Sequence, residues 1–135
     1  MELLASGRGA DVFALDVGRV LRRYRDGRSA LREAETLRTV VAVGFPAPAV
    51  HATDGPDIVM DRVDGPTLGA ALLDGTMPVD EAGATLARLH RALYAIEVDG
   101  GTLVHLDLHP LNVILAPAGP VAIDWTDARP GSTSR

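Results

Sequence analysis

The chain predicts an α+β fold: an N-terminal antiparallel sheet with one helix, followed by a smaller region holding a helix and a hairpin. Three observations carry this. Short apolar or alternating runs near residues 12–16, 19–24 and 57–63 are separated by glycine, proline and aspartate clusters, as strands are. Two stretches, from Leu31 to Val41 and from Val79 to Ile96, repeat apolar residues at steps of three and four, as helices do. Two apolar runs, Asn112 to Ala116 and Pro120 to Ile123, flank a Pro117 to Gly119 turn, as a hairpin would.

In chain order, Ser6-Gly7-Arg8-Gly9-Ala10 is a glycine-containing connection leading to a strand over Val12 to Asp16. Taken alone, Gly7 and Gly9 make a plain turn. Gly18 to Tyr24 is the next strand. Ser29 is placed to cap a helix whose stripe is Leu31, Ala34, Leu37 and Val41, ended by Gly44 and Pro46. Glu33 lies at the edge of that stripe and Glu35 on the other side. Phe45 to His51 connects to a strand, and Asp57 to Val63 forms another, closed by Asp64-Gly65-Pro66. Val79, Ala82, Leu86, Leu89, Leu93 and Ile96 form the second helical stripe, started by Pro78 with Asp80 and Glu81 in the first turn. Asp99-Gly100-Gly101 breaks it and leads to a strand at Leu103-Val104. His51, His90 and Arg91 are read as structural or surface residues.

The stretch from Val104 to Trp125 carries the chemistry. Asp107 precedes Asn112 by five residues, and the hairpin then delivers Asp124 beside Asn112. Transfer of a phosphoryl group asks a protein mainly for positioning and charge neutralisation. One carboxylate faces the acceptor hydroxyl, while an amide oxygen and a second carboxylate are hard ligands suited to magnesium. A single aspartate or asparagine beside a proline is ordinary turn chemistry. The combination is more specific. His105, Asp107, Leu108, His109, Pro110 and Asn112 follow a His-Gly-Asp-Leu-His-Pro-x-Asn run, and Ile123-Asp124-Trp125 an Ile-Asp-Trp run. In these the chain resembles the aminoglycoside phosphotransferase and choline kinase group of small-molecule phosphotransferases, with their protein-kinase-like fold. Leu106 stands where that pattern has glycine and removes its access to positive φ.

The resemblance implies roles along the whole chain. Asp107 would be the catalytic base or hydroxyl-orienting group, and Asn112 and Asp124 the magnesium ligands. A strand lysine paired with a helix glutamate ordinarily holds the nucleotide phosphates. This chain contains no lysine, and Arg22 falls at that position with Glu33 as its partner. Arginine grips phosphate through a planar fork, with a different reach and shape. That Arg22 and Arg23 simply flank a half-solvated strand is the alternative. Gly7 and Gly9 take the place of the nucleotide-covering loop, where backbone amides meet phosphate oxygens. Met60, Asp61, Arg62 and Val63 become the hinge against adenine, although strand core accounts for Met60 equally well. ATP and Mg2+ are the implied cofactors, and a small-molecule hydroxyl the implied acceptor. The same resemblance divides the chain into a nucleotide-binding lobe and hinge at 1–63, a reduced second lobe at 64–129 and a disordered tail at 130–135.

Composition fits these expectations and excludes others. The 135 residues are 47% hydrophobic and 23% charged, enough for one small domain or two small lobes around a cleft. Eight of the thirteen arginines precede Gly44, the remainder is strongly acidic and the whole chain carries −5, so nucleic acid is not an expected partner. No apolar run approaches a membrane span and no signal segment opens the chain. Cysteine is absent, excluding disulfides and thiolate metal sites. A cytoplasmic location suits a need for ATP. No Gly-x-x-x-x-Gly-Lys-Ser/Thr run occurs, which excludes a Walker-type loop.

Only ten residues follow Trp125, fewer than the resembling family uses to build its acceptor-binding helices. A fragment, a second copy completing the lobe as a homo-oligomer, or a reduced enzyme each fit that length. Two rival classes remain. One is a metal-dependent hydrolase using His105, Asp107 and His109 with Asp124, since alternate strand residues share a face. The other is a nucleotide-binding pseudoenzyme, motivated by Arg22 and by the short second lobe.

Overall fold

A computed structural model describes residues 1–135 apart from 8, 99–100, 105–107, 126–128 and 132–135, with backbone alone for 97–98, 101–104 and 129–131. His105 and Asp107 therefore lie outside the described residues. Five antiparallel strands come first: β1 (Glu2–Ser6), β2 (Ala10–Ala14), β3 (Arg19–Tyr24), β4 (Val50–Asp54) and β5 (Asp57–Asp61), in spatial order β1-β2-β3-β5-β4. Helix α1 (Leu31–Ala42) connects β3 to β4. The central strand β3 has two faces with opposite fates. Val20, Arg22 and Tyr24 alternate on one side, Val20 level with Met60, Arg22 with Ile58 and Val12, and Tyr24 with Ala10. Arg23 points to the other, where it meets its register partner Asp57 at 2.8 Å. Period-2 geometry alone separates the two neighbouring arginines.

Helix α1 covers the inward face. It buries Glu33, Ala34, Leu37 and Val40, so the stripe runs one residue earlier at its end than the sequence implies. Its cap also differs: Ala30 is the N-cap residue, while Ser29 accepts from the Leu31 amide at 3.2 Å. Strand β2 begins at Ala10, two residues before the expected start, because Gly9 with φ +82° makes a tight turn and lets pairing resume at once.

Beyond the hinge, α2 (Leu68–Asp74) and α3 (Val79–Tyr94) lead to β6 (Glu97–Val98) and β7 (Gly101–Val104). Thr67 caps α2 by accepting from the Ala70 amide, and Gly75 in left-handed conformation ends it. Helix α3 buries Ala82, Thr85, Leu89 and Leu93, whereas Val79 is exposed. A 3₁₀ turn (Pro110–Asn112) precedes β8 (Val113–Ala116), which pairs with β9 (Gly119–Ala122) around Pro117 and Ala118. Finally β10 (Arg129–Gly131) pairs with β7. It takes in Pro130 and Gly131, which the sequence assigns to the tail; as an edge strand it tolerates a proline that donates no hydrogen bond.

One buried apolar cluster runs through the molecule, from Leu37 and Ile58 to Leu89, Val113 and Trp125. Trp125 is 1% exposed, donates its indole N–H to the Ala122 carbonyl at 2.9 Å and meets Phe45 edge-on at 5.7 Å. Among the described residues no helix is long and apolar enough to cross a membrane.

Candidate nucleotide site

A cavity of about 480 Å³ opens between the five-stranded sheet, the hinge and the β8–β9 hairpin. It takes Ser6, Gly7 and Ala10 from the first turn, Arg22 and Glu33 from its inner wall, Met60 to Asp64 from the hinge, and Asn112 and Asp124 from the hairpin. Residues more than one hundred positions apart thus face the same space.

The inner wall is a polar network under an apolar roof. Glu33, only 4% exposed, accepts from the Arg22 guanidinium and from the Tyr24 hydroxyl. Arg22 extends its other terminal nitrogen to Asp124 at 3.3 Å. A guanidinium can serve two carboxylates at once because its donors lie in a rigid fork. Arg22 therefore ties β3 and α1 to the hairpin. Tyr24, two residues after Arg22 on the same face, is a member of this network that the sequence analysis left out; the period-2 spacing is the signal that would have found it.

The hairpin brings the two expected metal ligands together. The Ile123 amide donates to the Asn112 carbonyl at 2.9 Å, which fixes the strand ends in register just before Asp124. Asp124 has φ +60°, the one positive value at a non-glycine residue among those described. Aspartate tolerates this conformation better than bulkier residues do, and such strain collects at functional positions. The Asn112 side-chain amide meets His109 Nε2 at 3.2 Å, which holds it at the start of the hairpin. His109 also accepts from the Leu111 amide at Nδ1, capping the 3₁₀ turn. An amide oxygen and a carboxylate at one cavity edge form a hard donor set that fits magnesium.

The glycine turn and the hinge depart from expectation in detail. Gly7 lines the cavity, yet its amide donates to the Ala10 carbonyl at 2.9 Å and is committed to the turn. Gly9 is not among the described residues that line the cavity; it turns the chain, and its carbonyl accepts from the Arg25 amide. Met60 lines the cavity and is also 7% exposed core, so both accounts of it hold. The Asp61 carboxylate turns to His51, at 2.7 Å, and to the Ala49 amide. Its backbone amide donates to Ala49 and that of Arg62 to Gly18.

This arrangement defines a class: a protein-kinase-like fold, with a five-stranded sheet and one helix, a connecting strand end, and a hairpin that together line a cleft. The sequence pattern of the RIO domain matches residues 8–132. The chain belongs to the RIO domain family. The resemblance read from the sequence is thus right at the level of the kinase-like fold, and the family is a different branch from the small-molecule one. The chain is 35% identical over 86 residues to EKC/KEOPS complex subunit BUD32 of Encephalitozoon cuniculi, covering 62% of this chain and 39% of that protein. The fold is shared with the gentamicin complex of APH(2'')-IIa (TM-score 0.73, 16% identity, 97% of this chain and 66% of that one). It is also shared with the Rio2 kinase–ADP/Mg2+–phosphoaspartate complex from Chaetomium thermophilum (TM-score 0.70, 18% identity, 96% and 49%). The chain therefore spans about two fifths of the curated relative it matches and less than two thirds of either solved structure.

Proposed function

We propose that this chain binds ATP with Mg2+ in the cavity and transfers the γ-phosphate to a hydroxyl. The observation that carries this reading is the convergence of Arg22, Glu33, Asn112 and Asp124 on one space from β3, α1 and both ends of the hairpin. In it Arg22 holds phosphate oxygens and is itself aimed by Glu33. The Asn112 oxygen and Asp124 hold magnesium, which neutralises phosphate charge when bound. Asp107, from the matching motif, orients the acceptor hydroxyl. Met60 to Val63 form the purine edge; because the Asp61 and Arg62 amides are committed, Val63 supplies the hinge donor.

The acceptor is the finer question. The sequence resemblance points to a small molecule, whereas membership of the RIO family, and a relative named as a complex subunit, support a hydroxyl on a protein; we favour the protein acceptor. Transfer from labelled ATP should require magnesium, and Asp107→Ala should abolish it while ATP affinity stays within about twofold; unchanged transfer in that variant would refute the mechanism. Asp124→Asn should weaken magnesium-dependent ATP binding itself. A second reading, nucleotide binding without transfer, is favoured by the contact between Arg22 and Asp124, which engages an expected metal ligand with a cation. Binding with no phosphate release or transfer, insensitive to Asp107→Asn, is its signature.

A further inference from the structure

The first turn along the cavity wall is gathered by one arginine outside the cavity lining. Arg25, the residue after β3, donates Nη2 to the Gly7 carbonyl at 2.6 Å and Nη1 to the Ala10 carbonyl at 3.2 Å. Its backbone amide donates to the Gly9 carbonyl at 2.9 Å. Nη1 also reaches the Asp11 carboxylate at 2.6 Å, and that same oxygen accepts from the Ser6 hydroxyl at 2.9 Å. Gly7 and Ala10 both line the cavity, so the carbonyls being held belong to residues of its wall.

Two physical facts give this arrangement a purpose. Carbonyl oxygens carry partial negative charge, and a turn presenting them toward a phosphate would repel it. Glycines at 7 and 9 also leave the turn free to adopt many conformations, which binding would otherwise have to order. A guanidinium answers both, since its charge offsets the carbonyl dipoles and its rigid fork serves several acceptors together. Asp11, anchored in β2 and by Ser6, keeps that guanidinium in place.

We propose that Arg25, held by Asp11, is a positioning residue for the nucleotide's phosphate groups: its guanidinium binds the Gly7 and Ala10 carbonyls, and so fixes these two cavity-lining residues. This rests on the reading of the cavity as a nucleotide site. The role is specific to phosphate, because among the described residues the hydrogen bonds of Arg25 go to Gly7, Gly9, Ala10 and Asp11, on the side of the cavity away from the hinge residues that would hold a purine.

The test compares two probes, magnesium-ATP and adenosine, titrated calorimetrically into the wild-type chain and the Arg25→Ala, Arg25→Gln and Asp11→Asn variants. ATP should bind Arg25→Ala about tenfold more weakly, the loss expected for charge-assisted bonds. Adenosine affinity should stay within about twofold. Arg25→Gln, which retains a donor and spares the fold, should fall between, and Asp11→Asn should shift ATP affinity in the same direction by a smaller factor. Equal losses for ATP and adenosine would mark a structural staple and overturn the proposal, as would ATP affinity unchanged in all three variants. A wild-type chain that binds neither probe overturns the nucleotide reading and this proposal together; one that binds ATP as its variants do overturns this proposal alone.

Discussion

Glu33 is the residue on which the inner wall depends. It is nearly fully buried and accepts from both Arg22 and Tyr24, so its removal takes from a part-buried cation and a buried hydroxyl the carboxylate they share. Breaking a buried pair from one side is strongly destabilising. Glu33→Ala should reduce unfolding free energy by about 3–5 kcal/mol in urea titrations, and a change below about 1 kcal/mol would show that the network contributes little. The family resemblance paired Arg22 with Glu33, through the strand cation and helix glutamate that hold nucleotide phosphates in kinase-like sites. It did not foresee that the same arginine reaches Asp124, since no local pattern brings positions 22 and 124 together. Surface carboxyls set a different dependence. Ser6 and Arg25 hold Asp11 below the usual carboxylate range, Arg19 and the Gly18 amide do so for Asp16, and the Thr76 hydroxyl and amide for Asp74. Depressed carboxyls contribute stability that is complete above their unfolded pKa of about 3.9 and lost as pH falls through the lower folded values. Melting temperature should therefore fall on acidification below about pH 4, and Asp11→Asn should make that fall shallower; an unaltered profile in the variant would remove Asp11 from the account.

At the scale of elements, the segment leaving the hinge is fastened to the hairpin by backbone. The Leu115 amide donates to the Pro66 carbonyl at 2.8 Å, and Thr67 bridges to Ile114. Gly65, at φ +148°, makes this approach feasible: a Cβ there would lie 2.3 Å from the Leu115 carbonyl oxygen. Gly65→Ala should destabilise the chain by about 2–4 kcal/mol, from overlap and an unfavourable φ together, with thermal unfolding as the readout; a loss under about 0.5 kcal/mol would mean the strap moves aside without consequence. The sequence showed Asp64-Gly65-Pro66 only as a strand terminator. The α2 helix went unread because seven residues are too few for a 3.6-residue period to emerge from Leu-Gly-Ala-Ala-Leu-Leu-Asp. Strand β1 was equally invisible, since all five of its residues are exposed and no inside-outside alternation exists to detect.

For the whole molecule, the continuous core passes through Trp125, which is the last residue of the motif stretch and sits against Phe45 from the loop after α1. Trp125→Ala should lower stability by about 3–5 kcal/mol and weaken ATP binding, because Trp125 is buried in the core and lines the same cavity as its neighbour Asp124; stability lost with ATP affinity intact would separate the core from the site. The sequence by itself determined the strand and helix periodicities, and the motif resemblance around Asp107, Asn112 and Asp124 pointed to the kinase-like class and to Arg22 in the place of its lysine, all of them local patterns. Tertiary structure decided what distance in the chain conceals: that Arg22 bridges Glu33 to Asp124, that Tyr24 joins them, that Gly7 spends its amide on its own turn, and that Arg25 holds that turn from outside. These contacts depend on sheet register and on packing between distant segments, which a periodic pattern along one segment does not encode.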